Sequence, residues 1–291
     1  MSHPIFKELK NKLYYPNFNH KVTLLGGQSF SWDIVNIDEN MYLGWTDKYV
    51  VVIRVVGDYI YWQTYPSLNS ESVISRYFRV GVDSVHIENI IGEDEHVKLA
   101  ITKFSGIKIL KQPLNLTILS FIISANNNIK AIRRSVRILS NMFGDVVDVP
   151  YLGSVSLFPT VEALAKASID DIRKAKVGFR AKYLKETSEI LLRSGLSERF
   201  DVMNQEEQLK ALLQLPGVGN KIADCVMVFA GDAMDITPMD VWGKRILKDL
   251  YGIPDTWKYE QYREWIRKQW GGFGAYAGQY LFEWYRNKSR S

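Results

Sequence analysis

The stretch LLQLPGVGNKIADC, residues 212–225, decides how the second half of this 291-residue chain folds. Leucines before and within it form the apolar side of a predicted helix, which Pro216 must end. Apolar residues resume at helical spacing over 222–229 and predict a second helix. Gly217 and Gly219 let another molecule approach the main chain closely. The turn therefore offers free N–H groups at the start of a helix, where a phosphate group binds well.

Two interpretations fit this hairpin alone: a helix-hairpin-helix that binds the DNA backbone without sequence preference, or an ordinary packing element. The following residues favour the first. Lys221 begins the second helix, where neighbouring N–H dipoles disfavour its positive charge, and an uncharged lysine can form a Schiff base. Asp240 lies 19 residues after Lys221, beyond a loop, so the chain has room to return it to the same cleft.

Composition restricts the class of protein. The hydrophobic fraction of 46% indicates a folded chain with a sizeable core. A net charge of +5 and an isoelectric point near 9.0 favour a polyanionic partner. The single cysteine, Cys225, excludes an internal disulfide. No apolar run is long enough to span a bilayer and there is no signal-peptide core, so we expect an intracellular protein of the cytoplasm or nucleoid without a membrane partner.

The first hundred residues have the pattern of an antiparallel sheet. Gly57-Asp58 predicts a tight hairpin turn between two strands. Residues 22–25 also predict a short strand, and residues 94–104 predict a helix that covers the sheet. The main strand segments, rich in β-branched and aromatic residues, are 41–45, 49–56 and 59–65.

From residue 114 the pattern becomes helical. Residues 116–123 are apolar nearly all round, which predicts a central helix. Asn128 is the predicted N-cap of the next helix. That helix carries a basic stripe, which fits either a solvated face or a phosphate contact. The stripe consists of Lys130, Arg133, Arg134 and Arg137.

The sequence resembles the helix-hairpin-helix DNA glycosylases, in which LPGVGxKxAD precedes a loop and a catalytic aspartate. Residues 215–224 and Asp240 match in type and spacing. Lysine at position 221 marks the bifunctional members, and the chain is most similar to the bacterial 8-oxoguanine DNA glycosylase/lyases over residues 22–284. The resemblance implies that Lys221 attacks the anomeric carbon. It also implies that Asp240 stabilises the developing positive charge, helps to deprotonate Lys221 and caps the hairpin's second helix.

The stretch GGQSFSW, residues 26–32, resembles the GQSFxW signature of the same enzymes. The resemblance implies that the Gly27 carbonyl accepts a hydrogen bond from N7–H of 8-oxoguanine. Guanine has an unprotonated N7, so this carbonyl can distinguish the two bases. A simple glycine turn before a strand is the alternative.

Other residues are assigned by resemblance to the DNA strands. Asn126 matches the asparagine that fills the gap left by the extruded base and contacts the orphaned cytosine. Ala131 replaces an arginine that usually reads the same cytosine, so we expect relaxed selectivity for it. Residues 177–183 resemble the family's GYRARY stretch, in which Phe179 is a wedge and Arg180 supports the strand; core packing is the alternative for Phe179. The residues expected to bind the DNA backbone at the hairpin are Gly217, Val218 and Gly219.

The C-terminal stretch 270–284 resembles the family's YAG…Q…LF helix. The resemblance implies that Gln279 hydrogen-bonds the base edge and that Phe282 stacks on the base, with Trp284 as the alternative because the spacing is shorter here.

Two more residues are assigned to the base pocket. Cys225 lies one helical turn after Lys221 on the same face and is expected to form the wall opposite the aromatic residue. Pro238 lies in the loop that leads to Asp240 and is assigned to the same pocket.

Together these patterns predict an α+β protein. Residues 1–105 form an antiparallel β domain of the TATA-binding-protein-like kind, and residues 106–291 form an all-helical helix-hairpin-helix glycosylase domain. The function would be to flip 8-oxoguanine out of duplex DNA, cleave its N-glycosidic bond through a lysine Schiff base and nick the abasic site by β-elimination. A monofunctional alkylated-base glycosylase and a non-catalytic DNA-binding module are the alternatives.

We expect a monomer whose partner is double-stranded DNA containing 8-oxoguanine. No cofactor and no catalytic metal are expected, with a structural cation on the hairpin carbonyls left as an open alternative. The single cysteine also excludes the four-cysteine iron–sulfur cluster of the endonuclease III branch.

Overall fold

A five-stranded antiparallel sheet forms the centre of the N-terminal region in this computed structural model, which describes residues 3–46, 48–67 and 70–288. The strand order is β1-β5-β4-β3-β2. The central hairpin turns at Gly57, which has φ +54°. The strands are β1 Asn11–Tyr14, β2 Asp33–Asn36, β3 Met41–Trp45, β4 Val50–Val56 and β5 Tyr59–Tyr65. The predicted strands 41–45, 49–56 and 59–65 are therefore confirmed.

Both faces of this sheet are buried. Side chains alternate across β4, so Val50 and Val52 pack into one apolar cluster while Val51 and Ile53 pack into another. The first cluster continues into the helical region, which joins the sheet to the rest of the molecule. The N-terminal region also contains four helices: α1 His20–Leu25, α2 Glu71–Tyr77, α3 Ser84–Ile91 and α4 Glu95–Phe104.

Two predictions about this region are wrong. Residues 22–25 form part of helix α1 instead of a strand, because the Asn19 side chain caps the helix by accepting from Val22 N. Tertiary burial of Thr23 and Leu24 then overrides the strand propensity of a short β-branched segment. Helix α4 exists as predicted but packs chiefly on the last helix and not on the sheet.

The remainder of the described chain is mainly helical. As predicted, α5 is buried over nearly its whole length, and the Asn128 side chain caps α6 by accepting from Ala131 N at 2.9 Å. A small two-stranded ladder pairs β6 Val146–Val149 with β7 Gly153–Ser156. The helices are α5 Leu114–Ser124, α6 Ile129–Phe143, α7 Val161–Lys166, α8 Ile169–Ile172, α9 Arg180–Ser194, α10 Leu196–Arg199, α11 Gln205–Leu213, α12 Asn220–Phe229, α13 Val241–Tyr251, α14 Tyr259–Trp270 and α15 Gly274–Lys288.

Helix α15 returns to the N-terminal region and packs against α3, α4 and α13. The two predicted parts thus share an interface, and their boundary at residue 105 stays a prediction, while residues 1–2 and 289–291 lie outside the described residues. Within the described ranges, no helix combines the length and apolarity that crossing a bilayer requires.

Candidate active site

The hairpin between α11 and α12 is built around two glycines with different roles. Gly217 has φ +81°, and a Cβ there would lie 2.8 Å from the Tyr183 ring, so conformation and packing both demand glycine. A Cβ on Gly219 would meet nothing within 4 Å, so this position is open to solvent. Val218 is buried and anchors the turn. Leu213 is predicted to lie on the apolar side of the first helix, but its side chain is 40% exposed.

The start of α12 is prepared to receive an anion. Among the described residues, no side chain caps this helix, whose N-cap residue is Gly219. Residues 220–222 form its first turn and line an open groove. The N–H groups of a first turn have no partner inside the helix, so they face the groove as hydrogen-bond donors.

Lys221 projects from the first turn of α12 toward α5. Its Nζ lies 3.4 Å from Ser124 Oγ and 5.3 Å from the centre of the Phe121 ring. The Phe121 ring favours a nearby cation over its face, while Ser124 Oγ donates to Phe121 O at 2.6 Å and is held in place. The amine is therefore located by α5 and α12 together. The contact with Ser124 was not predicted from the sequence.

Asp240 occupies the N-cap of α13, where its Oδ1 accepts from Gly243 N at 2.9 Å. Asp240 is therefore a helix cap, as predicted, but the predicted helix is wrong. The carboxylate caps α13 and not α12, the second helix of the hairpin. The reason is position: Asp240 immediately precedes Val241, the first residue of α13. The helix dipole favours a negative charge at this point.

One cavity, of about 790 Å³ with its open mouth included, collects the residues assigned to chemistry and base recognition. Trp284 lies outside its lining, which makes Phe282 the aromatic residue that α15 contributes. The predicted residues that line the cavity are Gly27, Lys221, Cys225, Pro238, Asp240, Gln279 and Phe282.

Cys225 forms a neutral wall of this cavity. Its thiol is buried in α12, and burial raises its pKa to about 12. The thiol is therefore protonated near neutral pH and offers a small, weakly polar surface.

The close approach of α15 depends on a small residue. A Cβ on Gly278 would lie 2.2 Å from Thr237 Cγ2, so only glycine lets the helix pack against the loop that carries Pro238. Thr237 Oγ1 donates to Gly274 O at 2.6 Å and fixes the same contact. This packing brings Gln279 into the cavity.

The Gly27 loop is held by a hydrogen-bonded clamp. The Gln28 amide donates to Lys108 O at 2.8 Å and accepts from Leu110 N at 2.9 Å, and its main-chain oxygen accepts from Gln112 Nε2 at 2.6 Å. Gly27 itself has φ +109°. The sequence alone does not predict these contacts of Gln28, although its place in the GQSF motif is a signal for them.

The cavity opens into the groove at the hairpin, which shares Lys221, Met239 and Asp240 with it. Asn126 is exposed, lines this groove and has a left-handed backbone with φ +48°. Phe179 is 59% exposed and contacts Tyr183 edge-on, which argues against the core-packing alternative.

The side chain of Arg180, predicted to support the DNA strand, is buried against main-chain oxygens. It is 8% exposed, and it donates to Ala125 O at 2.8 Å, Asn126 O at 3.2 Å and Val177 O at 3.1 Å. Its donors are already used by main-chain oxygens. Arg180 thus supports the Asn126 loop, and its contact with the DNA strand stays a prediction.

The basic stripe on α6 is only partly a free surface. Arg133 donates to Trp32 O at 2.8 Å and to Leu24 O at 3.3 Å, and Arg137 pairs with Asp33 at 2.5 Å. These two residues tie α6 to the N-terminal region. The other two members of the stripe, Lys130 and Arg134, are exposed.

In the part of the chain that the structure describes, no three His, Cys, Asp or Glu side chains are close enough together to hold a metal ion. A cation on the hairpin carbonyls would need no such group and stays a prediction.

Similarity to known proteins extends over nearly the whole chain. Residues 119–271 match the model of the HhH-GPD superfamily base excision DNA repair proteins, and residues 12–116 match that of the 8-oxoguanine DNA glycosylase N-terminal domain. A protein of Saccharomyces cerevisiae named N-glycosylase/DNA lyase is 29% identical over 261 residues, which are 79% of this chain and 67% of that protein.

Solved structures agree with these matches. The 8-oxoguanine glycosylase/lyase of Clostridium acetobutylicum, solved with double-stranded DNA containing cytosine opposite to 8-oxoG, is 30% identical, with a TM-score of 0.85 over 94% of this chain and 93% of that chain. A structure of MBOgg1 with a low-affinity DNA ligand is also 30% identical, with a TM-score of 0.88 over 94% of both chains. With both family models matched in order along the chain, this protein belongs to the HhH-GPD superfamily of base excision DNA repair proteins and, within it, to the 8-oxoguanine DNA glycosylase family.

Proposed function

We propose that this protein excises 8-oxoguanine from duplex DNA and then cleaves the strand at the abasic site. One observation carries the proposal: a single cavity holds an amine and a carboxylate, Lys221 and Asp240, beside the Gly27, Gln279 and Phe282 expected to recognise the base. The name of the Clostridium relative, 8-oxoguanine glycosylase/lyase, and that of the yeast relative, N-glycosylase/DNA lyase, support the same activity.

Substrate recognition requires the target base to leave the helix. The cost of unstacking is about a few kcal/mol, which backbone contacts offset. The first turn of α12 supplies N–H donors for a phosphate, and the groove leads from there to the cavity. Inside it, the Gly27 carbonyl accepts the N7–H that only the oxidised base carries, Gln279 hydrogen-bonds the base edge, and the base lies between Phe282 and Cys225.

Chemistry then proceeds through the lysine. Lys221 Nζ forms a bond to the anomeric carbon as the glycosidic bond breaks, and the base leaves with the bonding electrons and takes up a proton. Asp240 stabilises the positive charge that develops on the sugar and accepts a proton from the lysine. Opening of the sugar ring gives the Schiff base, and β-elimination breaks the bond to the 3′ phosphate.

Borohydride trapping with an 8-oxoguanine duplex tests substrate and Schiff base together. We expect the unmodified protein to give a covalent complex with this duplex and none with a guanine duplex. Lys221→Gln should bind DNA but give no complex and no excision, because an amide is not an amine nucleophile. Lys248→Gln is a matched control, since Lys248 is an exposed partner of Asp255 outside the cavity and the groove.

Three outcomes would contradict the proposal. A covalent complex with Lys221→Gln would show that another amine reacts. Release of alkylated purines without 8-oxoguanine would favour the monofunctional alternative, and DNA binding without any excision would favour the binding module.

The place of action follows from the substrate. We propose that the protein works as a monomer on the DNA of a bacterial cytoplasm, at the nucleoid. Fluorescence from a tagged copy should overlap the DNA stain, and a signal confined to the cell envelope would contradict this.

A further inference from the structure

The hydroxyl of Tyr259 joins two parts of the site that are distant in sequence. It donates to Asp224 Oδ2 at 2.7 Å and accepts from Met239 N at 3.1 Å. Asp224 lies on α12, three residues after Lys221, while Met239 immediately precedes Asp240. One phenol therefore links the helix of the proposed nucleophile to the loop of the proposed carboxylate.

The anchor of this link is rigid. Asp224 is fully buried, and its Oδ1 pairs with Arg263 of α14 at 2.5 Å. Arg263 also pairs with Glu260 at 2.7 Å, so its guanidinium is oriented from two sides. Separating a buried carboxylate from its charged partner is costly. The ion pair with Arg263 therefore keeps the Asp224 carboxylate in one position.

The phenol is suited to a bridging role. Burial and the nearby Asp224 carboxylate raise the pKa of Tyr259 above its ordinary value, so the hydroxyl remains protonated. It can then donate to the carboxylate and accept from a backbone N–H at once. Phenylalanine would keep the ring but leave the Met239 N–H without this acceptor.

We propose that Tyr259 is a positioning residue that sets the Asp240 carboxylate relative to the Lys221 amine by tying Met239 to Asp224. The inference rests on the proposed function, because it assigns a role within the same site. Supporting groups that orient reacting residues are part of how an active site holds its geometry, and a misplacement of about 1 Å can lower a rate on the order of 100-fold.

The test compares Tyr259→Phe with Tyr262→Phe. Tyr262 lies on the same helix, is buried, and donates to Pro254 O at 3.1 Å outside the cavity and groove, so it controls for loss of one buried hydroxyl. We expect Tyr259→Phe to lower the single-turnover excision rate at saturating protein by about 10- to 100-fold. Its affinity for an undamaged duplex should not change, and Tyr262→Phe should excise at the rate of the unmodified protein.

Two further measurements separate positioning from a structural effect. Schiff-base trapping on a preformed abasic duplex should fall less than excision, because no glycosidic bond remains for Asp240 to assist. In an Asp240→Asn background, Tyr259→Phe should cause little additional loss, since both changes act through the same carboxylate.

The inference is overturned if Tyr259→Phe excises at the full rate, or if the two changes are additive. It is also overturned if excision, abasic trapping and the melting temperature fall in parallel, or if only DNA affinity falls, which would indicate a direct DNA contact. Failure of the unmodified protein to excise 8-oxoguanine would instead contradict the proposed function.

Discussion

Arg180 Nε donates to the main-chain oxygen of Ala125 at 2.8 Å, from a guanidinium that is almost completely buried. The bond holds the residue just before Asn126, whose backbone adopts a left-handed conformation. Positive φ is uncommon for a residue other than glycine and persists when the surroundings impose it. The arginine therefore maintains the loop that is proposed to enter the DNA gap.

Arg180→Lys should destabilise the folded protein in the absence of DNA. A lysine cannot reproduce the fork of donors that reaches Ala125, Asn126 and Val177, and a buried acceptor such as Val177 O costs about 1–3 kcal/mol when it loses its donor. Chemical denaturation should show a loss of that size. Unchanged stability combined with weaker DNA binding would mean that the side chain faces the strand instead.

The opposite-base preference should be weak because Ala131 cannot hydrogen-bond a base through its side chain. Arg180 is occupied by carbonyl oxygens, which leaves Asn126 to contact the orphaned base. A good bidentate contact contributes about 1–3 kcal/mol of discrimination. Single-turnover excision from four duplexes that differ in the opposite base should show a smaller handicap for adenine, guanine and thymine than in relatives with arginine.

Ala131→Arg should then increase the preference for cytosine. Ala131 is half-buried in the first turn of α6, next to the loop that carries Asn126. If the unmodified protein already prefers cytosine by several orders of magnitude, another residue reads the base.

The two hairpin glycines should respond differently to substitution by alanine. Gly219→Ala should fold normally, since a Cβ there is unobstructed, but weaken binding to damaged and undamaged duplexes alike because the contact is to phosphate. Gly217→Ala should also lower the melting temperature, because of its positive φ and the nearby Tyr183 ring. Fluorescence anisotropy and thermal unfolding check both variants. A loss by Gly219→Ala confined to lesion DNA would contradict a phosphate contact.

Gln28→Ala should impair base recognition more than lysine chemistry. The amide holds the loop of Gly27 through Lys108 and Leu110, so its loss should displace the carbonyl that is proposed to read N7. We expect slower excision of 8-oxoguanine with largely retained trapping on a preformed abasic site. Gln208→Ala is the matched control, since Gln208 is also buried but donates to Phe200 O away from the cavity. Equal losses in both assays would contradict the recognition role.

The hydrogen bonds that join Asp94, before α4, to Gln269 and Trp270 of α14 should weaken in acid. Burial opposes ionisation of Asp94, but hydrogen bonds from Val97 N, Gln269 and Trp270 outweigh it and hold its pKa below the ordinary value of an aspartate. A lowered folded-state pKa adds stability that is complete above the unfolded value and is lost as pH falls through the folded value. Asp94→Asn should therefore be less stable than the unmodified protein at pH 7, and the difference should shrink below pH 4. A constant difference in denaturation midpoint would contradict this.

Local sequence patterns predict those helices, strands and turns that neighbouring residues determine. A composition rich in β-branched and aromatic residues over 49–56 predicted a strand of the sheet, and the LPGVG turn predicted the hairpin that presents Lys221. Contacts that the sequence does not predict join distant residues. Arg180 donates to the main-chain oxygen of Ala125, 55 residues away, and the Tyr259 hydroxyl donates to Asp224, 35 residues away. No periodicity or spacing reports such contacts.

Failures of local reasoning also have local causes. Asp240 was assigned to the wrong helix because an N-cap serves the helix that directly follows it, and the start of α13 was not placed from the sequence. The composition of residues 22–25 favours a strand, but the cap at Asn19 starts a helix there instead.

The position of α15 has a consequence for the order in which the protein is made. A ribosome that has completed α13 has already produced Lys221 and Asp240, but not Gln279 or Phe282. A chain shortened at its C-terminal end would thus contain the proposed nucleophile Lys221 and the Gly27 loop, but not Gln279 and Phe282, which are also proposed to hold the base. The same helix packs on α3 and α4, and its Arg286 donates to Gly26 O beside the Gly27 loop. The cavity is therefore complete only at the end of synthesis, when the last helix closes the wall of a pocket begun about 250 residues earlier at Gly27.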